Sequence, residues 1–138
     1  MVEGTDIIQE ARRWLGVRWH HQGRCRHAGV DCVGLCLCVA WQLGLEIPDV
    51  KGYARRQDGS LLVALLEQHL SPVSITEGKG GDVAVFKDHG FPIHIGFLSE
   101  QGNAKTVLHA HARRRKVLEE PLDIFGQPFA LYRIREMG

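Results

Sequence analysis

Apolar residues along this chain follow two different periods. Up to residue 70 they recur at helical intervals, and from residue 81 onward they alternate or run in short stretches bounded by turn residues. Thr5 to Leu15 reads as a first helix, with Ile7, Ile8, Ala11, Trp14 and Leu15 on one face. Thr5 or Asp6 can cap it, and Gly16 ends it. Val17 to Val30 is rich in Gly, His and Arg and reads as a polar loop. The second helix is the clearest element. Asp31 stands at its N-cap position, Gly44 at its stop, and Val33 to Leu43 between them is almost wholly apolar. A helix apolar on every side is a buried helix. A long connection runs from Ile47 to Asp58, and Ser60 to Leu70 forms a third, amphipathic helix closed by Ser71-Pro72.

Four strands follow: Gly81 to Phe86, Ile93 to Leu98, Thr106 to Ala112 and Phe129 to Arg135. Turn signals at Asp88-His89-Gly90 and Gln101-Gly102-Asn103 separate the first three. Helices first and strands afterwards predict an α+β domain, with N-terminal helices packed on a C-terminal antiparallel sheet. No repeat or linker divides the chain, and 138 residues suit a single domain over 1–138.

Composition narrows the function classes. A chain 44% hydrophobic and 24% charged is an ordinary globular one, and a net charge of +1 makes no case for nucleic acid or an anionic membrane surface. No stretch approaches the roughly 18 apolar residues of a membrane span. Met1 to Glu10 carries acidic residues and no apolar segment, unlike a secretory signal, so synthesis in the cytoplasm is expected. Cys25, Cys32, Cys36 and Cys38 are then expected as free thiols. Cys36 and Cys38 lie inside the apolar run and read as small hydrophobes, while Cys25 has no assigned role.

The candidate chemistry centres on Asp31-Cys32-Val33-Gly34-Leu35. A cysteine in the first turn of a helix meets unpaired amides and the positive end of the dipole, which lower its pKa and can also hold an oxyanion. Gly34 leaves room for close approach by another backbone or by substrate. On position alone Cys32 reads equally as a nucleophile or as one more buried thiol. A nucleophilic cysteine needs a base and a group to orient it. In Ile93-His94-Ile95-Gly96-Phe97, alternation puts His94 and Gly96 on the face opposite the apolar residues, as an open site above the strand or as a satisfied core histidine. If the next strand pairs antiparallel, His109 can sit beside His94 as the orienting group. Flanked by Leu108 and Ala110, His109 should be more buried than His111, which runs into the solvated turn Arg113-Arg114-Arg115-Lys116. A zinc set of Cys25, His27, Cys32 and Cys36 lacks the paired knuckle spacing of structural sites, so no metal is expected.

These segments, in this order, resemble the NlpC-type cell-wall peptidases, a papain-like family. The resemblance lies in Asp31 to Leu35, Gly81-Asp82-Val83, His94-Ile95-Gly96-Phe97 and Leu108-His109-Ala110. It extends to the first loop, from Trp14-Leu15-Gly16 to Gln22-Gly23, and to the last strand, Ala130 to Ile134. It implies a papain-like NlpC fold, with Cys32 as nucleophile, His94 as general base, His109 as the third, orienting residue, and no cofactor. Many members carry a tyrosine near the cleft where this chain has Trp19, whose indole has no phenolic hydroxyl. His20 and the Cys32 amide are the candidates to replace it, with Asp31 and Trp19 as further substrate or oxyanion contacts. The implied substrate is the peptidoglycan stem peptide. The bare domain looks most like the branch encoded among tail genes of phages and gene transfer agents. That branch implies tail-tip or hub partners and a place on the particle. A purely structural tail component is the alternative.

Overall fold

The computed structural model describes residues 1–54 and 58–135. Part of the connection predicted up to Asp58 therefore lies outside the described residues, at 55–57. Helix α1 spans Gly4–Arg12. A two-stranded hairpin, β1 (Arg24–Cys25) and β2 (Gly29–Val30), precedes α2 (Cys32–Gln42) and α3 (Ser60–His69). The sheet strands are β3 (Leu70–Val73), β4 (Val83–Asp88), β5 (Phe91–Gln101), β6 (Ala104–His111), β7 (Lys116–Pro121) and β8 (Ala130–Ile134), with a short α4 (Leu122–Phe125) before the last. They form one antiparallel six-stranded sheet in the order β3-β8-β4-β5-β6-β7. The predicted α+β layering is what the structure has.

The α2 helix forms where expected, with Asp31 as N-cap accepting from Gly34 N at 2.8 Å. The α1 helix starts differently. Glu3, not Thr5 or Asp6, is its N-cap, and Asp6 returns the bond by accepting from Glu3 N at 2.8 Å. Three strand assignments were incomplete. Ser71-Pro72 does not merely close α3; it belongs to edge strand β3, where a proline without an N–H is tolerated. The polar loop contains the β1–β2 hairpin. The basic run gives way at Lys116 to β7, which pairs with β6 over its whole length.

The sheet is covered on both faces. Towards α1, α2 and α3 it presents Val83, Val85, Ile95, Phe97, Leu108, Ala110 and Tyr132. On the far face Ala84, Phe86, Val107 and Leu131 meet Leu122 and Phe125. The Gly81-Asp82 opening of β4 does structural work. Asp82 is fully buried and takes both Arg133 Nε and Nη2 at 2.8 Å, tying β4 to β8. No described helix is long and apolar enough to cross a membrane.

Candidate active site

Cys32 opens α2, and its thiol rests on the main chain of β5. Sγ donates to Ile93 O at 3.9 Å, and the Ile95 amide bonds to it. The sulfur therefore lies against the backbone on both sides of His94. Among the described residues no hydrogen bond joins Sγ to an imidazole.

The loop ahead of Cys32 is built around the Asp31 carboxylate. Oδ1 accepts from Gly34 N and, at 3.2 Å, from Arg24 Nη1. Oδ2 accepts from Gln22 N at 2.8 Å and from the Tyr53 hydroxyl at 2.5 Å. Asp31 is buried, so its oxygens serve the fold around Cys32. Gln22 continues the clamp, donating from Nε2 to Tyr53 O at 2.7 Å. Gly34 provides the close approach anticipated for it: a Cβ there would lie 2.1 Å from Gly23 O, so α2 starts in direct contact with the preceding loop.

On the far face of the sheet the two histidines meet. His94 Nε2 and His109 Nδ1 are 2.7 Å apart, and His109 Nε2 is 2.7 Å from Glu120 Oε2. Gly96 makes this possible. It lies one step beyond the Phe97–Leu108 pair, and a Cβ there would be 2.8 Å from His109 Cβ. The space above Gly96 is thus not an open site; it is where His109 comes across. Phe125 covers the group, with its ring centroid 4.4 Å from that of His109 and 5.4 Å from that of His94. A cleft of about 590 Å³ reaches His94 past His111, Glu120 and Phe125.

Burial sets the protonation states. It pushes the Cys32 thiol up to about 12, with the Asp31 charge as the second cause, against the backbone amides of Ile95, Val33 and Cys32 that pull it down. The lowered pKa expected from the helix start is thus overridden. His94 is pushed down to about 3, by burial first and then by His109 and His111. Burial, then His111, also holds His109 well below the usual histidine range. Burial thus favours the uncharged forms of the thiol and of both imidazoles, and His94 Nδ1, the ring nitrogen nearer the main chain, makes no hydrogen bond among the described residues.

The remaining sequence candidates are spread around this centre. Trp19 is half-buried, its main-chain N–H bonds to Arg115 O at 2.9 Å, and the Arg115 guanidinium lies 5.2 Å from its ring centroid. His20 is exposed. His111 stands 3.9 Å from Glu120 Oε2. Cys25 is exposed on the hairpin, and Cys38 is buried with Sγ 3.4 Å from Arg24 O. Sequence reasoning missed Tyr53, Glu120 and Phe125. Tyr53 and Phe125 are single aromatics in stretches with no period, and Glu120 lies on the strand that went unrecognised.

Solved structures share this architecture. The NlpC/p60 domain of the peptidoglycan hydrolase SagA superposes with a TM-score of 0.71 at 21% identity, over 96% of this chain and 100% of that domain. An NlpC/P60 family protein from Bacillus cereus gives 0.71 at 20% identity, over 96% of this chain and 40% of its own. The peptidoglycan hydrolase RipB from Mycobacterium tuberculosis gives 0.62 at 24% identity, over 95% and 64%. No protein-family model and no curated protein sequence matches the chain. The fold is therefore the NlpC/p60 fold. The chain spans the whole SagA domain but only about two-fifths of the Bacillus cereus protein.

Proposed function

We propose that the protein is a peptidoglycan-degrading cysteine hydrolase, with Cys32 as nucleophile, His94 as general base and His109 as its orienting partner. The observation that carries this reading is the Cys32 thiol lying against the Ile93 carbonyl and the Ile95 amide, on either side of His94 in the strand. The shared fold with peptidoglycan hydrolase domains supports the substrate class.

A rotation of the Cys32 side chain brings Sγ towards His94 Nδ1, a contact that often tightens only with substrate bound. His94 takes the thiol proton as sulfur attacks an amide carbonyl of the stem peptide. The tetrahedral oxyanion faces the start of α2, where the Cys32 and Val33 amides already turn towards the sulfur. His94 then gives its proton to the leaving amine, and the acyl-enzyme forms as the C–N bond breaks. Water, deprotonated by His94, releases the acid and restores the thiol. The charge arising on His94 is shared along the hydrogen bond to His109. The assignment of the enzyme to a phage-like tail, with tail-tip or hub proteins as neighbours, rests on the sequence resemblance alone.

Cys32→Ala should leave the thermal unfolding midpoint within a few degrees of wild type. It should also abolish release of muropeptides from purified sacculi, followed by mass spectrometry, which reports the bond cut as well. A variant that digests sacculi at the wild-type rate would refute Cys32 as the nucleophile, and a wild-type chain that releases no muropeptides would leave the structural tail component in its place.

A further inference from the structure

We propose that Glu120 is a positioning residue that sets the tautomers of both histidines, so that His94 offers an unprotonated Nδ1 to Cys32; the inference deepens the hydrolase reading and rests on it. The argument runs from the far end of the chain of rings. A carboxylate accepts hydrogen bonds and donates none. At 2.7 Å from Glu120 Oε2, His109 Nε2 must carry the proton of that bond. A neutral imidazole has only one N–H, so His109 Nδ1 is an acceptor. The His94 nitrogen 2.7 Å from it, Nε2, is then the donor. His94 is neutral as well, which leaves its Nδ1 with a lone pair. One carboxylate, two rings removed from the sulfur, selects the tautomer able to take the thiol proton.

Glu120 is suited to this task and is not engaged elsewhere. Its side chain is 14% exposed, and among the described residues its ion-pair partners are His109 and, at 3.9 Å, His111. The adjacent Glu119 points to the other face of the sheet and pairs with Arg12 at 3.0 Å. Strand pairing sets Glu120 opposite Val107, two residues before His109 on the same face. The diagonal reach brings its carboxyl to the ring. Phe125 packs against the rings of both His94 and His109 and holds them in place. Once His94 becomes an imidazolium, the same carboxylate stabilises the charge passed to His109.

The test reads tautomers directly. Nitrogen-15 NMR of the imidazoles at neutral pH should show both His94 and His109 protonated at Nε2 in the wild-type chain. Glu120→Leu removes the acceptor, and should give mixed tautomers at both rings and a fall in kcat on the order of 100-fold with little change in KM. Glu120→Gln keeps an acceptor oxygen and should hold the tautomer order, with kcat within about tenfold of wild type. A wild-type His94 protonated at Nδ1, or unchanged tautomers in Glu120→Leu, would overturn the proposal. Should Glu120→Leu not fold, the wild-type spectrum still decides. A wild-type chain that leaves sacculi intact would sink the hydrolase reading alone, because the tautomer measurement does not depend on turnover.

Discussion

The Asp31 carboxylate ties the loop ahead of α2 to the start of the helix at Cys32, and its removal has a calculable effect. In Asp31→Ala the α2 N-cap to Gly34 N disappears, which costs about 1 kcal/mol. The Tyr53 hydroxyl and the Gln22 amide lose their acceptor, at about 1 to 3 kcal/mol for each donor left unsatisfied, and towards the lower end where water can enter. Arg24 keeps Asp49 Oδ1 at 2.9 Å and the carbonyls of Gly23 and Val50, so it adds little. The sum is about 4 kcal/mol, a large share of the roughly 5–15 kcal/mol that holds such a domain together. For a chain of this size that corresponds to a fall in Tm on the order of 10–15 °C. Asp31→Asn keeps one oxygen for Gly34 but turns an NH2 towards two donors, so it should lose about three-quarters as much. Both variants remove a charge that raises the Cys32 pKa, and the thiol should become more acidic. Calorimetry reads the first effect, and the rate of iodoacetamide labelling at Cys32 near pH 8 reads the second. The expected pattern is a less stable protein with a more reactive thiol. An Asp31→Asn variant that melts within about 2 °C of wild type and labels no faster would refute the reasoning.

Two further outcomes follow from the histidine pair. Both rings have folded pKa values below their unfolded value near 6.5, so the unfolded chain binds more protons below that pH. Stability should therefore be fully present above about pH 6.5 and fall as the pH drops towards 3. The loss should reach at most about 2 kcal/mol per histidine by pH 5, measured by urea denaturation, and a flat profile from pH 7 to 5 would count against buried neutral rings. Gly96→Ala places a methyl 2.8 Å from both His109 Cβ and Leu108 O, which should destabilise by about 1–3 kcal/mol. It should also slow sacculus digestion at least tenfold by pushing His109 away from His94; full activity in a folded variant would show the pair is not needed.

How much of this was legible in the sequence depends on the range over which each signal acts. The α2 helix declared itself because an eleven-residue apolar run with an aspartate cap is a local statement, and Cys32 takes its place from that cap alone. His94 and His109 share a face because strand alternation is local too, and Gly96 supplies the gap between them. Tyr53 could not be read this way. It is one aromatic in a polar connection, and its meaning comes from Asp31, 22 residues earlier. The thiol's protonation was misjudged for a related reason: the helix start is visible in the sequence, but the burial that outweighs it is created by β5, about sixty residues downstream. Glu120 is a different case. Lys116–Pro121 holds two adjacent apolar residues, Val117 and Leu118, so its sequence leaves the parity open; the structure sets it, with Val117 buried against the helices. Residues 117 and 119 then share the helix face, and 118 and 120 the face of the histidines. Of two adjacent glutamates that composition cannot distinguish, pleating sends Glu119 to Arg12 and Glu120 to His109. Recognising the strand would have left both glutamates as candidates, and it is the pairing of Val117 with Ala110 that turns Glu120 towards His109.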